Sequence, residues 1–150
     1  WRWVVGVVVV LVVGRSPGDM QRRAAAAEDG YKGQVLDYLK HNLRDKNREV
    51  FLVIYLNGRN QILKMEELFE GTLSTSAVYP REVVKRALVN DAAALVFVHN
   101  HPSGNPNPSQ DDLTITKKLK EAAQSIDVSV HDHLIIAGND VYSFADHGLI

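Results

Sequence analysis

The 150-residue chain contains no cysteine. No disulfide can brace it, and any metal it binds must be held through nitrogen and oxygen. The same absence fits a reducing cytosol, so a cytoplasmic protein is expected. Excess charge of either sign is also missing: 17 Lys and Arg stand against 18 Asp and Glu, a net charge of −1. A domain that grips nucleic acid by itself usually carries a basic face. This chain has neither a basic stripe nor an aromatic platform, so nucleic acid is not expected as a partner. No apolar run reaches the ~20 residues a bilayer span needs, and no repeat or low-complexity segment follows residue 30. What is present, 45% hydrophobic and 23% charged residues, is the composition of an ordinary globular protein. Its length predicts one domain that buries about two thirds of its unfolded surface.

Residues 1–30 differ in character from the rest. Val4-Val5-Gly6-Val7-Val8-Val9-Val10-Leu11-Val12-Val13 is about half a membrane span in length. It matches a signal-peptide core in size, and Ala24-Ala25-Ala26-Ala27 could mimic a cleavage site. Arg15, Arg22 and Arg23 lie between the two, however, and the chain does not start with Met. The expectation is a strand or disordered lead left where a longer chain was truncated, with a folded domain over residues 31–150.

Within that domain, Val35, Leu36, Leu39 and Leu43 predict an amphipathic helix over Gln34–Leu43. Val50 to Leu56 is an almost unbroken apolar and β-branched run, the mark of a central strand. Asn57-Gly58 signals a hairpin turn, with a return strand from about Gln61 toward Leu68. Thr72 to Val78 reads as a short extended piece. Pro80 opens a helix whose apolar face is Val83, Val84, Ala87 and Leu88. Ala92 to Val98 is a buried strand, Gln110 to about Ser125 a helix, and Val128–Ala137 with Val141–Phe144 a second hairpin turned at Gly138-Asn139-Asp140. Strands interleaved with helices, two hairpins among them, predict an α/β domain built on a mixed sheet.

The chemistry concentrates in His99-Asn100-His101 and Ser109-x-x-Asp112. Two imidazoles and a carboxylate form the ligand set of a zinc site whose fourth position is left to water. If the strand continues to His101, its period of two puts His99 and His101 on one face. Asn100 then points to the other face and ties down the loop. Pro102-Ser103-Gly104-Asn105-Pro106-Asn107-Pro108 is rich in turn formers and should carry the chain back across the strand end. Asp112 then falls in the first turn of the next helix and can swing toward both histidines.

These residues resemble the JAMM (MPN-type) metalloprotease motif. The fuller string His99-Asn100-His101-Pro102-Ser103-Gly104 with Pro108-Ser109 is similar to the bacterial RadC branch of that superfamily. The likeness extends upstream through Glu49-Val50-Phe51, Phe69-Glu70-Gly71-Thr72 and Tyr79-Pro80-Arg81-Glu82-Val83, and downstream through Asp132-His133-Leu134 and Tyr142-Ser143-Phe144. It implies a single JAB/MPN-like (cytidine-deaminase-like) domain, with a mixed sheet flanked by helices. The helix-hairpin-helix region usual before this domain in RadC-like proteins has no counterpart here.

The resemblance implies Zn2+ held by His99, His101 and Asp112, with Asp111 a first-turn charge beside the ligand. It also implies a glutamate base at the edge of the first core strand. Glu49 fits best, Glu66 is second and Glu82 third. Ser109 has two compatible readings, a helix cap and a hydroxyl donor to the oxyanion. His131-Asp132-His133 is a second His-x-His without a third ligand, so no second metal is expected. Asp132 or His133 could hydrogen-bond the zinc ligands or their loop, or form a structural strand-end pair. His41 and His147 sit in polar surroundings and read as surface residues.

The expected function is a zinc metallopeptidase whose metal-activated water attacks a peptide or isopeptide bond. A short peptide or small conjugate is a more reachable substrate than a folded protein, because little chain remains for substrate-gripping insertions. The alternatives are a DNA-repair-associated factor, the label RadC-like proteins carry, and a non-catalytic MPN scaffold. Nuclease chemistry of the HNH kind is not expected, since His99, Asn100 and His101 are adjacent on one strand.

Overall fold

A computed structural model describes residues 33–71 and 78–150. The apolar lead, the boundary near residue 30 and nearly all of the Thr72–Val78 piece lie outside the described residues. Helix α1 covers residues 33–43. It is followed by β1 (Val50–Leu56), β2 (Ile62–Glu70), α2 (Pro80–Val89), β3 (Ala94–Asn100), α3 (Gln110–Gln124), β4 (Ser129–Ala137) and β5 (Asp140–Ser143). Among the described residues the expected helices and strands are present, within a residue or two at their ends.

The strands form one mixed sheet in the order β2-β1-β3-β4-β5. β1 runs antiparallel to β2 and β3, β3 and β4 are parallel through the α3 crossover, and β5 folds back antiparallel on β4. Every residue of β1 is buried because both faces of the sheet are covered. Phe51, Val53 and Tyr55 pack with Leu95 and Phe97 beneath Val83 and Ala87 of α2 and Ile115, Leu119 and Ala123 of α3. The alternate residues Val50, Leu52, Ile54 and Leu56 pack with Ala94 and Val98 against Leu39 and Leu43 of α1. The helices that cover each face carry their apolar residues one helical turn apart, which aligns them into a stripe.

β2 is an edge strand, only partly covered and studded with Lys64, Glu66, Glu67 and Glu70. Such charges discourage a second chain from pairing there. The β1–β2 turn differs from a tight Asn-Gly turn. Asn57 Oδ1 accepts from the N–H groups of Arg59 (2.9 Å) and Gln61 (3.0 Å), and the left-handed residue is Asn60 (φ 59°). The side chain of Asn57 thus builds a longer loop and moves the positive φ three residues on. At the β4–β5 turn Gly138 (φ 60°) takes the left-handed position between the paired Ala137 and Asp140, as a two-residue hairpin requires.

Candidate metal centre

β3 delivers His99 to the face covered by α3, beside Phe51 and Phe97. The strand ends at Asn100, yet the His101 N–H still donates to the Ile136 carbonyl of β4 (2.8 Å). That bond prolongs the alternation, so His101 follows His99 on the same face. The loop then turns at Gly104 (φ 77°) and brings the Asn105 carbonyl 2.8 Å from His101 Nδ1. A carbonyl only accepts, so Nδ1 carries the proton and a neutral His101 presents a bare Nε2 inward.

Asp112 arrives from the first turn of α3, held by a complete capping box. The Asp112 N–H donates to Ser109 Oγ (3.1 Å), while the Ser109 N–H (2.6 Å) and hydroxyl (2.8 Å) both donate to Asp112 Oδ2. His99 Nε2 stands 2.9 Å from His101 Nε2 and 3.1 Å from Asp112 Oδ1; His101 Nε2 stands 3.3 Å from Asp112 Oδ2. Ligands bound at about 2.0–2.1 Å around a tetrahedral zinc lie roughly 3.3 Å apart, so the triangle has nearly the size of that coordination face. Lone pairs and a carboxylate converging this closely repel one another unless a cation lies among them. The donor set therefore fits a metal ion. It is the one such group of three among the described residues.

Protons and metals compete for this place. The hydrogen bond to Asp112 raises His101 above its ordinary value against the effect of burial, helped by the Asn105 carbonyl and by the negative charges of Asp112 and Glu49. Burial alone would raise the Asp112 carboxyl. Protonated His101 and His99 and the Ser109 N–H outweigh it and hold that group well below the usual carboxylate range.

The three candidate bases have different surroundings. Phe51 pairs with His99 in the antiparallel register, and Glu49 precedes β1 two residues before Phe51, on the side of the strand that Phe51 takes. Its charge is felt at His101. Glu66 pairs across from Val53 on the same sheet face as the cluster, but it is engaged there: it accepts from Tyr55 and Arg86 and meets Lys64. Glu82 lies on α2 beside Tyr79 and Arg86. A cavity of about 460 Å³ opens next to Glu49, lined by Asn47, Arg48, Gly71, Pro102 and Ser103.

Asn100 faces away from the cluster, as period two requires. Its Oδ1 accepts from the Val50 N–H (2.7 Å) and its Nδ2 donates to the Arg48 carbonyl (3.0 Å). The loop it ties down is therefore the one entering β1, which carries Glu49. Asp132 accepts from the His133 N–H, the Ser143 hydroxyl and the Ala145 N–H, strapping β4 to the turn after β5. His133 is fully buried with Nε2 2.8 Å from His99 Nδ1, and its Nδ1 lies 2.5 Å from Thr116 Oγ1. Sequence reasoning missed Thr116; its one signal was a threonine four residues after Asp112, on the same helix face. His131, His41 and His147 are exposed and outside the cluster. No described helix is long and apolar enough to cross a membrane.

Residues 31–149 match the family model described as the RadC-like JAB domain. The chain is 52% identical over 114 residues to the UPF0758 protein YfjY of Escherichia coli K12, covering 76% of this chain and 71% of that protein. It is 53% identical over 116 residues to UPF0758 protein PSHAa2643 of Pseudoalteromonas translucida, covering 77% of this chain and 52% of the relative. A UPF0758 protein of Thiobacillus denitrificans is 49% identical over 137 residues, with 87% and 61% covered. The chain therefore spans only about half to seven-tenths of the length of these curated relatives.

Proposed function

We propose, from the premise that this chain belongs to the RadC-like JAB domain family, that it is a zinc-dependent hydrolase of the metallopeptidase type acting on a peptide or isopeptide bond. The observation that carries the reading is the convergence of His99, His101 and Asp112 within 4.8 Å; the negative charge of Glu49 acting on His101 supports Glu49 as the base. His99 and His101 supply nitrogens and Asp112 an oxygen to the ion. Zinc held there would supply Lewis acidity toward the carbonyl and make water more acidic.

The rest falls to the chain's own groups. Glu49 accepts the proton of the attacking water as its oxygen bonds to the carbonyl carbon. It returns that proton to the amine nitrogen as the C–N bond breaks, which balances the hydrolysis. Ser109 keeps Asp112 oriented. In the arrangement observed its hydroxyl proton goes to that carboxylate, so service as an oxyanion donor requires the hydroxyl to turn. The cavity beside Glu49 is of the size that takes a small ligand or a few residues of peptide.

The test pairs metal analysis with turnover. About one zinc per chain, lost in His99→Ala and Asp112→Ala, is expected. Cleavage of peptide or isopeptide probes should fall about 10²–10⁴-fold in Glu49→Gln with zinc retained. A folded chain that takes up no supplied zinc would instead support a non-catalytic scaffold.

A further inference from the structure

We propose that Thr116 and His133 are positioning residues that hold His99 in its Nδ1–H tautomer, leaving Nε2 bare toward the candidate metal centre. The inference rests on the reading of His99 as a ligand and adds what prepares it for that role.

The direction of each proton follows from one group that cannot donate. Thr116 Oγ1 lies 2.6 Å from the Asp112 main-chain carbonyl, one turn back along α3. Only the hydroxyl can supply the hydrogen of that contact, and a hydroxyl has one. Toward His133 Nδ1, 2.5 Å away, Thr116 Oγ1 can therefore only accept, so His133 carries its proton on Nδ1. A neutral imidazole has a single N–H. His133 Nε2 is thus a lone pair, and His99 Nδ1, 2.8 Å away, must be the donor to it. The remaining nitrogen of His99 then faces His101 Nε2 and Asp112 Oδ1 without a proton.

This proton order holds for a neutral His133, and the ring is fully buried between aromatic walls. Phe144 stacks on the ring at 4.7 Å, and Phe51 and Phe97 meet it edge-on at 5.7 and 5.9 Å. A charge buried among these rings would lose its hydration with no carboxylate in contact to replace it, so the ring stays neutral. Asp112 thus acts twice: its carboxylate joins the cluster, and its carbonyl begins the chain that orients His99. Were the chain reversed, His99 would carry a proton on Nε2, pointing at the place a metal must occupy. Binding would then require both rings to change tautomer.

The experiment uses the full metal-free chain near pH 8, where free imidazoles are neutral. Long-range 1H–15N NMR identifies the protonated nitrogen of His99 and His133, and competition with a chelator measures zinc affinity. Both rings are expected as Nδ1–H. Thr116→Val should release the His133 proton to Nε2, drive His99 to Nε2–H, and weaken zinc binding about 10–100-fold, with Thr116→Ser restoring both. Nε2–H at His99 in the unaltered chain would overturn the proposal. So would a Thr116→Val chain with unchanged tautomers, or one with changed tautomers and unchanged zinc affinity. If Thr116→Val fails to fold, the tautomers of the unaltered chain decide the matter. Nδ1–H rings in a chain that takes up no zinc would support the proton direction and overturn the metal reading alone.

Discussion

Ser109 donates its hydroxyl proton to Asp112 and accepts the Asp112 N–H in return, so Ser109→Ala removes a helix cap and a carboxylate restraint together. Loss of the cap is expected to cost about 1 kcal/mol, read in a denaturant midpoint, with zinc affinity falling at least ~10-fold. From sequence alone the cap and the oxyanion-donor readings of Ser109 were compatible, because spacing locates a hydroxyl without saying where its proton points. Tyr55 carries a second residue-scale effect. Burial pushes its phenol up, and the neighbouring Glu66 carboxylate adds to this. The folded-state pKa lies above the unfolded value of about 10, so the stabilisation is full below pH ~10 and is lost as pH rises from there. Stability should decline at up to about 1.4 kcal/mol per pH unit above pH 10 from this group. In Tyr55→Phe that part of the decline should vanish, as pH-dependent unfolding of the two chains would reveal.

At the scale of elements, Asn100 joins the end of β3 to the entrance of β1. Its buried amide satisfies the Val50 N–H and the Arg48 carbonyl across 50 and 52 residues of sequence. Asn100→Leu would leave those groups unpaired at about 1–3 kcal/mol each. It should loosen residues 46–50 first, visible as faster amide exchange at Val50 than in the rest of β1. Turnover should fall more than zinc affinity, since the loosened segment carries Glu49 and not the ligands. Period two put Asn100 on the face away from the histidines. It could not say which loop waits there, because that depends on β1 being the antiparallel neighbour of β3. The Asn57 turn teaches a related lesson: the dipeptide signalled the reversal, while the side-chain bonds of Asn57 chose its length.

At the scale of the molecule, the candidate ligands come from a strand end, the loop after it and a helix start, so a bound ion ties β3 to α3 in the folded state only. Zinc at 100 times its dissociation constant should then stabilise the chain by about 2.7 kcal/mol. Differential scanning calorimetry should show a rise of several degrees in Tm that a chelator reverses and that Asp112→Ala lacks. The mixed sheet itself does not need the ion, because separate apolar clusters hold its two faces.

The strand–loop–helix unit and its His-His-Asp cluster were determined by the sequence itself. Their residues fall within His99–Asp112, where strand period, turn formers and a capping box act locally and leave the chain few alternatives. The α/β class was legible for the same reason, from periods read one segment at a time. What each candidate glutamate meets was decided only by tertiary structure. Glu49 precedes β1, Glu66 lies mid-β2 and Glu82 in the first turn of α2; Glu66 is taken up by Arg86, while the charge of Glu49 acts on His101. The same holds for His133 and Thr116, which meet His99 through the parallel β3–β4 pairing and the packing of α3. A sequence pattern encodes which face a side chain takes. Neighbouring strands and their register are chosen by burial of the whole core, to which residues far apart in the chain contribute together.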